Sequence, residues 1–319
     1  MTNDTLTAIE GISVGHESDF EGGTGVTVII FEKPSIGSAD ISGMATSTRQ
    51  IDSLEIMHPG TSVHALCLSG GSAFGLDAAG GVVKYLEDKG IGLDLSVTRL
   101  PVVPTAVIYD LSFMSAKARP TQEMALQACM NANNDPVEQG SIGAGTGATC
   151  GKLRGVLNST KTGLGSSYIK GFNDVGIGAL VIANPFGDIL NDHGEIIAGA
   201  RDEKGFLDTN RAIASGENRN RIGSTSNTTL CVLVTDAYLD KISALQVARM
   251  AGNGLSRHIS PFNTPFDGDM IFCLSIGNKE AHPLHLGVIG AKAAAIALIN
   301  AVIKADPLGG LPVYKEIMK

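Results

Sequence analysis

Short apolar runs bounded by glycine recur along the chain. Val26–Phe31 (VTVIIF) and Val63–Leu68 (VHALCL) are apolar or β-branched almost throughout, which predicts strands buried on both faces. The second run leads into Ser69–Gly75 (SGGSAFG) and then into a helical pattern near Leu76–Lys89, stopped at Gly90. Ala106–Asp110 (AVIYD) reads as a strand end, Thr121–Ala132 as a helix after Pro120, and Ser141–Gly151 (SIGAGTGATCG) as a glycine-dense loop. Val175–Asn184 predicts a strand that ends at Asn184-Pro185. Asp188–Ala198 has the pattern of a hairpin turning at Asn191-Asp192-His193-Gly194. Residues Arg201–Ser226 are polar and aperiodic, which predicts a long surface loop. Thr229–Thr235 (TLCVLVT) is abruptly apolar and predicts a buried strand. Asp240 is placed to cap a helix over Lys241–Ala251, closed by Gly252 and Gly254. Met270–Ser275 completes the strands, and Leu286–Ala305 is a long apolar helix. The sum is an α/β fold in which sheets lie between helices, with no repeat and no linker, hence a single domain.

Composition narrows the class. With 319 residues, 43% hydrophobic, the chain can bury a sizeable core. Charged residues are 18%, the net charge is -8, and no Lys/Arg cluster occurs, so nucleic acid is an improbable partner. The cysteines (Cys67, Cys129, Cys150, Cys231 and Cys273) are odd in number and widely spaced. That argues for reduced thiols rather than a disulfide framework or zinc knuckle. The N-terminal segment has neither a basic region nor an apolar one, so a cytoplasmic location is expected. The Leu286–Ala305 run carries Lys292, Asn300 and Lys304, which suits a core helix better than a membrane span. The sequons at Asn3, Asn158 and Asn227 are then chance matches.

Most standard chemistries lack their marks. Gly143-Ala-Gly145-Thr-Gly147-Ala falls short of a dinucleotide fingerprint, and Gly151-Lys152 is followed by Leu153, not Ser or Thr. His282 and His285 flank Pro283 without a carboxylate at helical spacing, and His16, His58, His64, His193 and His258 are scattered, so no metal is expected. Neither GxSxG nor HExxH is present. The junction Ser226-Asn227-Thr228-Thr229-Leu230 is more informative. A polar stretch runs straight into a buried strand that opens with two hydroxyl residues. By itself this is an ordinary strand start. Its chemical use is specific, however: a hydroxyl held against its own preceding carbonyl can attack it and leave a threonine with a free α-amine. That amine, with a pKa of roughly 7.7–8.0, can act as base for its own hydroxyl.

At this junction the chain resembles the self-processing aminopeptidases and amidases that include the L-aminopeptidase/D-esterases, the β-peptidyl aminopeptidases and the nylon-oligomer (6-aminohexanoate oligomer) hydrolases. The resemblance runs through Gly11-Ile-Ser-Val-Gly15 with His16, Gly23-Thr-Gly25-Val-Thr27, Cys67 through Gly75, Ala106 through Asp110, Gly145 through Lys152, Ala183 through Gly187, Asn227-Thr-Thr-Leu230 with Thr235-Asp236, and Asp267-Gly-Asp269. It implies a four-layer α/β/β/α sandwich of the N-terminal-nucleophile type. It also implies cleavage between Asn227 and Thr228 into a 1–227 large subunit and a 228–319 small subunit that stay together, and a homo-oligomer of these processed pairs. Thr228 would be the nucleophile. Lys152 would set the protonation or orientation of that centre, Asn184 and Tyr109 would donate to the oxyanion, and Asp267 and Asp269 would position the Thr228 α-amine. Ser69, Gly70, Gly71 and Gly145 would offer backbone to a substrate. The Asn-Thr cut and the acidic pair depart from the Gly-Ser cut of the aminopeptidase branches and favour the nylon-hydrolase branch. The substrate implied is a short peptide or an amide of a non-standard amino acid, hydrolysed without metal or cofactor. The alternatives are an acyltransferase of the self-cleaving ornithine acetyltransferase type, which the residues around Thr228 do not resemble, and a non-catalytic binding protein of the same fold.

Overall fold

The computed structural model describes residues 3–217 and 227–318. Among them, nine strands form the main sheet: β1 (Ile12–Asp19), β2 (Thr24–Ile41), β3 (Thr48–Arg49), β4 (Val63–Ser69), β5 (Thr105–Val107), β6 (Leu164–Lys170), β7 (Gly176–Asn184), β8 (Thr228–Ala237) and β9 (Met270–Lys279). Their order is β6-β7-β8-β9-β2-β4-β5-β3, with β1 on β2. β8 runs parallel to β9 and antiparallel to β7, so two strands of the C-terminal part lie inside the sheet.

β2 is much longer than the six apolar residues that announce it. Its first half pairs with β1 and β4 and its second half with β9. The register shifts between Ile30 and Ser35, where Glu32, Lys33 and Pro34 are exposed. A proline without an N–H is tolerated at such an irregularity. The polar interruption therefore re-aims one strand and does not end it.

Strand alternation separates three apolar clusters. Cys231 and Leu233 of β8 face one side, with Val181 and Ala183 of β7 and Ile271 and Cys273 of β9. This cluster is covered by α4 (Lys241–Ser256) and α5 (Pro283–Ile303). Leu230, Val232 and Val234 face the other way and meet Leu66, Leu68, Ile29 and Phe31 from β4 and β2. Ala65, Cys67, Val26 and Val28 form a third cluster with the helices α1 (Ala79–Asp88) and α2 (Gln122–Asn131). Strands buried on both faces explain why the sequence shows continuous apolar runs here rather than alternation. All five cysteines are free and buried in or beside these clusters.

Several expected boundaries shift. Residues Ser72–Ala78 form a 3-10 turn before α1 begins at Ala79. The predicted loop after Arg201 contains a small strand pair (Arg201–Asp202 with Gly205–Phe206) and the helix α3 (Thr209–Ala214). Its remainder, 218–226, lies outside the described residues. α4 passes through Gly252 and Gly254 to Ser256. The reason is packing: a Cβ on Gly254 would stand 2.0 Å from the carbonyl oxygen of Ala291, so glycine lets α4 and α5 touch. α5 is long and apolar enough to cross a bilayer, yet it packs on β6, β7 and α4, and Ala293, Ala294, Ala297 and Ala301 are buried there. We expect Gly254→Ala to destabilise the protein by about 1–3 kcal/mol, because two helix backbones must separate. The midpoint of urea unfolding measures it, and an unchanged midpoint would refute this account of the crossing. The result is a single mixed α/β domain.

Candidate active site

The N-terminal end of β8 is where the candidate residues meet. The last pair of the β7–β8 ladder sets Asn184 opposite Thr228. On the other side of β8, before the parallel pairing with β9 begins, Asn227 forms a bridge with Asp267. Its N–H donates to the Phe266 carbonyl at 2.8 Å, and its carbonyl accepts the Gly268 N–H at 2.7 Å. Asn227, Thr228 and Thr229 are all nearly inaccessible, at 0%, 3% and 0% exposure. Thr228 Oγ lies 2.5 Å from the carbonyl oxygen of Asn227. The Asn227 carbonyl thus holds the hydroxyl of the next residue and a main-chain N–H together, in a water-poor setting. A Cβ on Gly268 would come within 3.1 Å of Thr228 Oγ and 2.7 Å of the Ala45 carbonyl, so the donor approaches this closely only as glycine.

Lys152 and Asn184 form the next group. Lys152 Nζ donates to Asn184 Oδ1 at 2.7 Å and to the Asn184 carbonyl at 2.9 Å. Asn184 Oδ1 also accepts the Thr149 N–H at 3.1 Å, while its Nδ2 donates to the Tyr109 carbonyl at 3.1 Å. The link between Asn184 and Tyr109 therefore runs through the main chain of the tyrosine. Lys152 is buried, which lowers its pKa to about 7 even though Cys150, Asp267, Asp110 and Asp269 oppose the shift. A solvated surface lysine, the ordinary reading of that position, is not what the structure shows.

The acidic pair is also buried, where Asp-Gly-Asp taken alone suggests a solvated turn. Asp267 accepts the Phe186 N–H at 2.9 Å and is held by the Thr264 hydroxyl and N–H. Asp269 accepts the Thr229 N–H at 2.5 Å and the Asn263 N–H at 3.2 Å. Burial raises the pKa of both carboxyls, and the charge of Asp267 raises Asp269 further.

The glycines expected to carry substrate approach the chain's own atoms. Gly71 has φ +77° and donates to Asp110 Oδ1 at 2.7 Å. A Cβ on Gly70 would meet Asp110 Oδ2 at 2.1 Å. Ser69 is buried and donates to the Gly70 carbonyl, and Gly145 is packed against Gly163 and Leu164. Asp110 joins these segments. It also accepts the Thr24 hydroxyl at 2.7 Å, and burial raises its pKa to about 6. Asp110, Thr264 and the main-chain donors of Gly268 and Thr149 were not singled out from sequence. Asp110 directly follows Tyr109, and that adjacency was the available signal. A main-chain N–H has no residue-type signature at all.

A cleft of about 740 Å³ opens at the opposite ends of the same strands, lined by Glu10, Lys170, Asp174, Asp236 and Lys279. Four of its charges pair, Lys279 with Asp236 and Lys170 with Asp174, both at 2.7 Å. None of the junction residues lines it. Among the described residues no group of three or more His, Cys, Asp or Glu is arranged to hold a metal ion.

Known proteins bear on this geometry. The sequence profile of peptidase family S58 matches residues 4–312. An uncharacterized aminopeptidase of Mycobacterium tuberculosis is 32% identical over 98% of this chain and 97% of its own. A 6-aminohexanoate-oligomer endohydrolase of Kocuria sp. is 30% identical over 83% of this chain and 73% of its own. Among solved structures, the L-aminopeptidase D-Ala-esterase/amidase of Ochrobactrum anthropi, described as a variant of the Ntn hydrolase fold, superposes with a TM-score of 0.73. That match has 19% identity and covers 97% of this chain and 88% of that one. A Burkholderia sp. beta-aminopeptidase gives 0.70 at 18% identity, over 99% and 91%. At those identities the structural matches establish the fold, and the profile match over nearly the whole length establishes the rest: the chain belongs to peptidase family S58, a family of amide-bond hydrolases.

Proposed function

We propose that the chain cleaves its own Asn227–Thr228 bond and that the freed Thr228 is the nucleophile of an amidohydrolase. The observation that carries this reading is the pairing of Thr228 Oγ and the Gly268 N–H on the Asn227 carbonyl oxygen. Attack by Oγ on the adjacent carbonyl carbon gives a tetrahedral centre whose oxygen the Gly268 N–H stabilises. Its collapse breaks the C–N bond, the proton taken from Oγ passing to the leaving Thr228 nitrogen, and water then opens the resulting ester to the Asn227 carboxylate and the free Thr228 hydroxyl. Before the cut, the Thr228 nitrogen is an amide and is not basic, so another group must take the hydroxyl proton. Lys152, next to the β-ladder partner of Thr228 and with its ammonium disfavoured by burial, is suited to this. After the cut the α-amine of Thr228 can serve, held in place by Asp267 and Asp269. A substrate amide then acylates Thr228 Oγ, with the Asn184 amide and the Tyr109 hydroxyl as the donors this reading assigns to the developing oxyanion, and water releases the acyl group.

Three apolar clusters between two half-sheets and two helix pairs support reading the fold as four layers, α/β/β/α. The two fragments are expected to remain associated. β8 and β9 belong to residues 228–319 but are flanked by β7 and β2 from the large fragment. The relatives' names point to short peptides and oligomers of 6-aminohexanoate as the first substrates to test. A homo-oligomer of processed pairs in the cytoplasm is part of the same reading.

The sign of the pH dependence follows from Lys152. Below its pKa of about 7 the amine is charged and cannot accept a proton, whereas above it the neutral form dominates. Self-cleavage should therefore quicken as pH rises from about 5 and level off above about 8. Denaturing mass spectrometry of freshly purified protein incubated across that range checks it, by following the appearance of fragments 1–227 and 228–319. A chain that stays whole at every pH would overturn the proposal, and a rate that does not vary with pH would remove Lys152 as the proton acceptor. Hydrolysis of aminoacyl anilides and 6-aminohexanoate oligomers by the processed protein tests the second half.

A further inference from the structure

One buried lysine has no part in the chemistry above. Lys161 is fully buried, and it makes no ion pair within 4.0 Å among the described residues. Its Nζ donates instead to three main-chain carbonyls: Gly145 at 3.2 Å, Ala148 at 3.0 Å, and that of Thr162. Burial lowers its pKa to about 7, while the three carbonyl acceptors, which match the three N–H bonds of an ammonium, favour the charged form; its hydrogen-bonding capacity is met entirely by backbone. Taking a lysine out of water in this way is costly when an apolar side chain could fill the space. What the charge touches therefore matters.

It touches the peptide unit joining Ala148 to Thr149. The carbonyl of that unit accepts from Lys161 Nζ and from the Thr162 N–H at 3.1 Å, and its N–H donates to Asn184 Oδ1 at 3.1 Å. A cation on the carbonyl side polarises the unit and strengthens the N–H on the other side. Asn184 Oδ1 is thereby held by the Thr149 N–H and by Lys152, which leaves the Nδ2 end on the Tyr109 carbonyl, while the Asn184 backbone pairs with Thr228 across the β-ladder. The opposite flip of the amide would set its NH2 group against two donors. The same ammonium also ties both ends of the Gly145–Ala148 turn and so fixes where Thr149 stands.

We propose that Lys161 is a positioning residue. Acting through the Ala148–Thr149 peptide, it fixes the flip of the Asn184 amide, the donor assigned above to the oxyanion. This rests on the reading of Thr228 as nucleophile. Lys241 is a built-in comparison. It too caps carbonyls, those of Ser53, Glu55 and His58 at 2.9–3.0 Å, and none of these is bonded to Asn184.

The test uses the full chain with Lys161→Met, and Lys161→Gln, which keeps N–H donors, should the methionine variant fail to fold. Far-UV circular dichroism establishes folding. Both the rate of Asn227–Thr228 cleavage and the kcat and KM of the processed enzyme on an amide substrate are then measured. We expect cleavage and kcat to fall about 10- to 100-fold, less than the roughly 10²–10³ of a deleted oxyanion donor because the donor is misplaced and not removed, with KM within about threefold. In an Asn184→Ala background the same substitution should have almost no further effect, because Lys161 acts through Asn184. Lys241→Met should lower thermal stability and leave both rates unchanged. A folded Lys161 variant with wild-type rates, or a loss that persists in full without Asn184, would overturn the proposal. A wild-type chain that neither cleaves nor hydrolyses would instead refute the Thr228 reading on which it rests.

Discussion

Thr228→Ala is expected to give a folded, uncut chain without amidase activity. Thr228 Oγ is the only side-chain oxygen placed on the Asn227 carbonyl among the described contacts, and alanine removes it while leaving the β-ladder intact. Loss of a hydrolase nucleophile costs on the order of 10⁶ in kcat, so residual turnover should be undetectable in an ordinary assay. The fold should survive, because the hydroxyl is satisfied locally and Thr228 contributes little to the apolar clusters, which start at Leu230. Denaturing mass spectrometry should show one species where the wild type shows two, with the smaller wild-type fragment beginning Thr-Thr-Leu. Two fragments from the alanine variant would mean that another group cuts the chain. Thr228→Ser keeps the oxygen and should still process, which separates loss of the nucleophile from disturbance of the strand.

Asn184→Ala is the second large effect. The amide lies across the ladder from Thr228 and joins Lys152, the Thr149 N–H and the Tyr109 carbonyl. Removing one preorganised oxyanion donor costs about 10²–10³ in kcat. KM should move little, since the interaction strengthens only as charge develops on the carbonyl oxygen. The substitution also strips Lys152 of its side-chain acceptor in a buried site, so the rising limb of the cleavage–pH profile should shift to lower pH. Steady-state kinetics on an anilide and the pH profile of cleavage measure the two parts separately. A variant with wild-type kcat and a higher KM would show that Asn184 binds substrate rather than stabilising the transition state.

Legibility from sequence varied with the kind of feature. The apolar runs that became β4, β7, β8 and β9 were plain, because each is short and continuous and bounded by turn residues. β2 was only partly visible, since Glu32, Lys33 and Pro34 interrupt its pattern where the strand passes from one half-sheet to the other. Gly252 and Gly254 read as a helix end. The use of Gly254 is to let α5 approach at Ala291, which depends on a partner about forty residues away in the chain.

The candidate set divides along the same line. Thr228, Asn227 and the Asp-Gly-Asp stretch were nameable from order and spacing, through resemblance to a known family. Their environment was not. Taken alone, Lys152 reads as a solvated lysine and Asp267 and Asp269 as a solvated turn, yet all three are buried. Lys161 carried no signal of any kind. By itself the sequence determined which segments are apolar enough to be strands and core helices, and which residue types stand at the junction, because these are local properties of composition and period. Only the tertiary structure decided which charges lose their water and which main-chain groups reach the Asn227 carbonyl. Desolvation and hydrogen bonding depend on distance through space, and residues such as Asn227 and Gly268, or Lys161 and Ala148, meet only once the chain has folded.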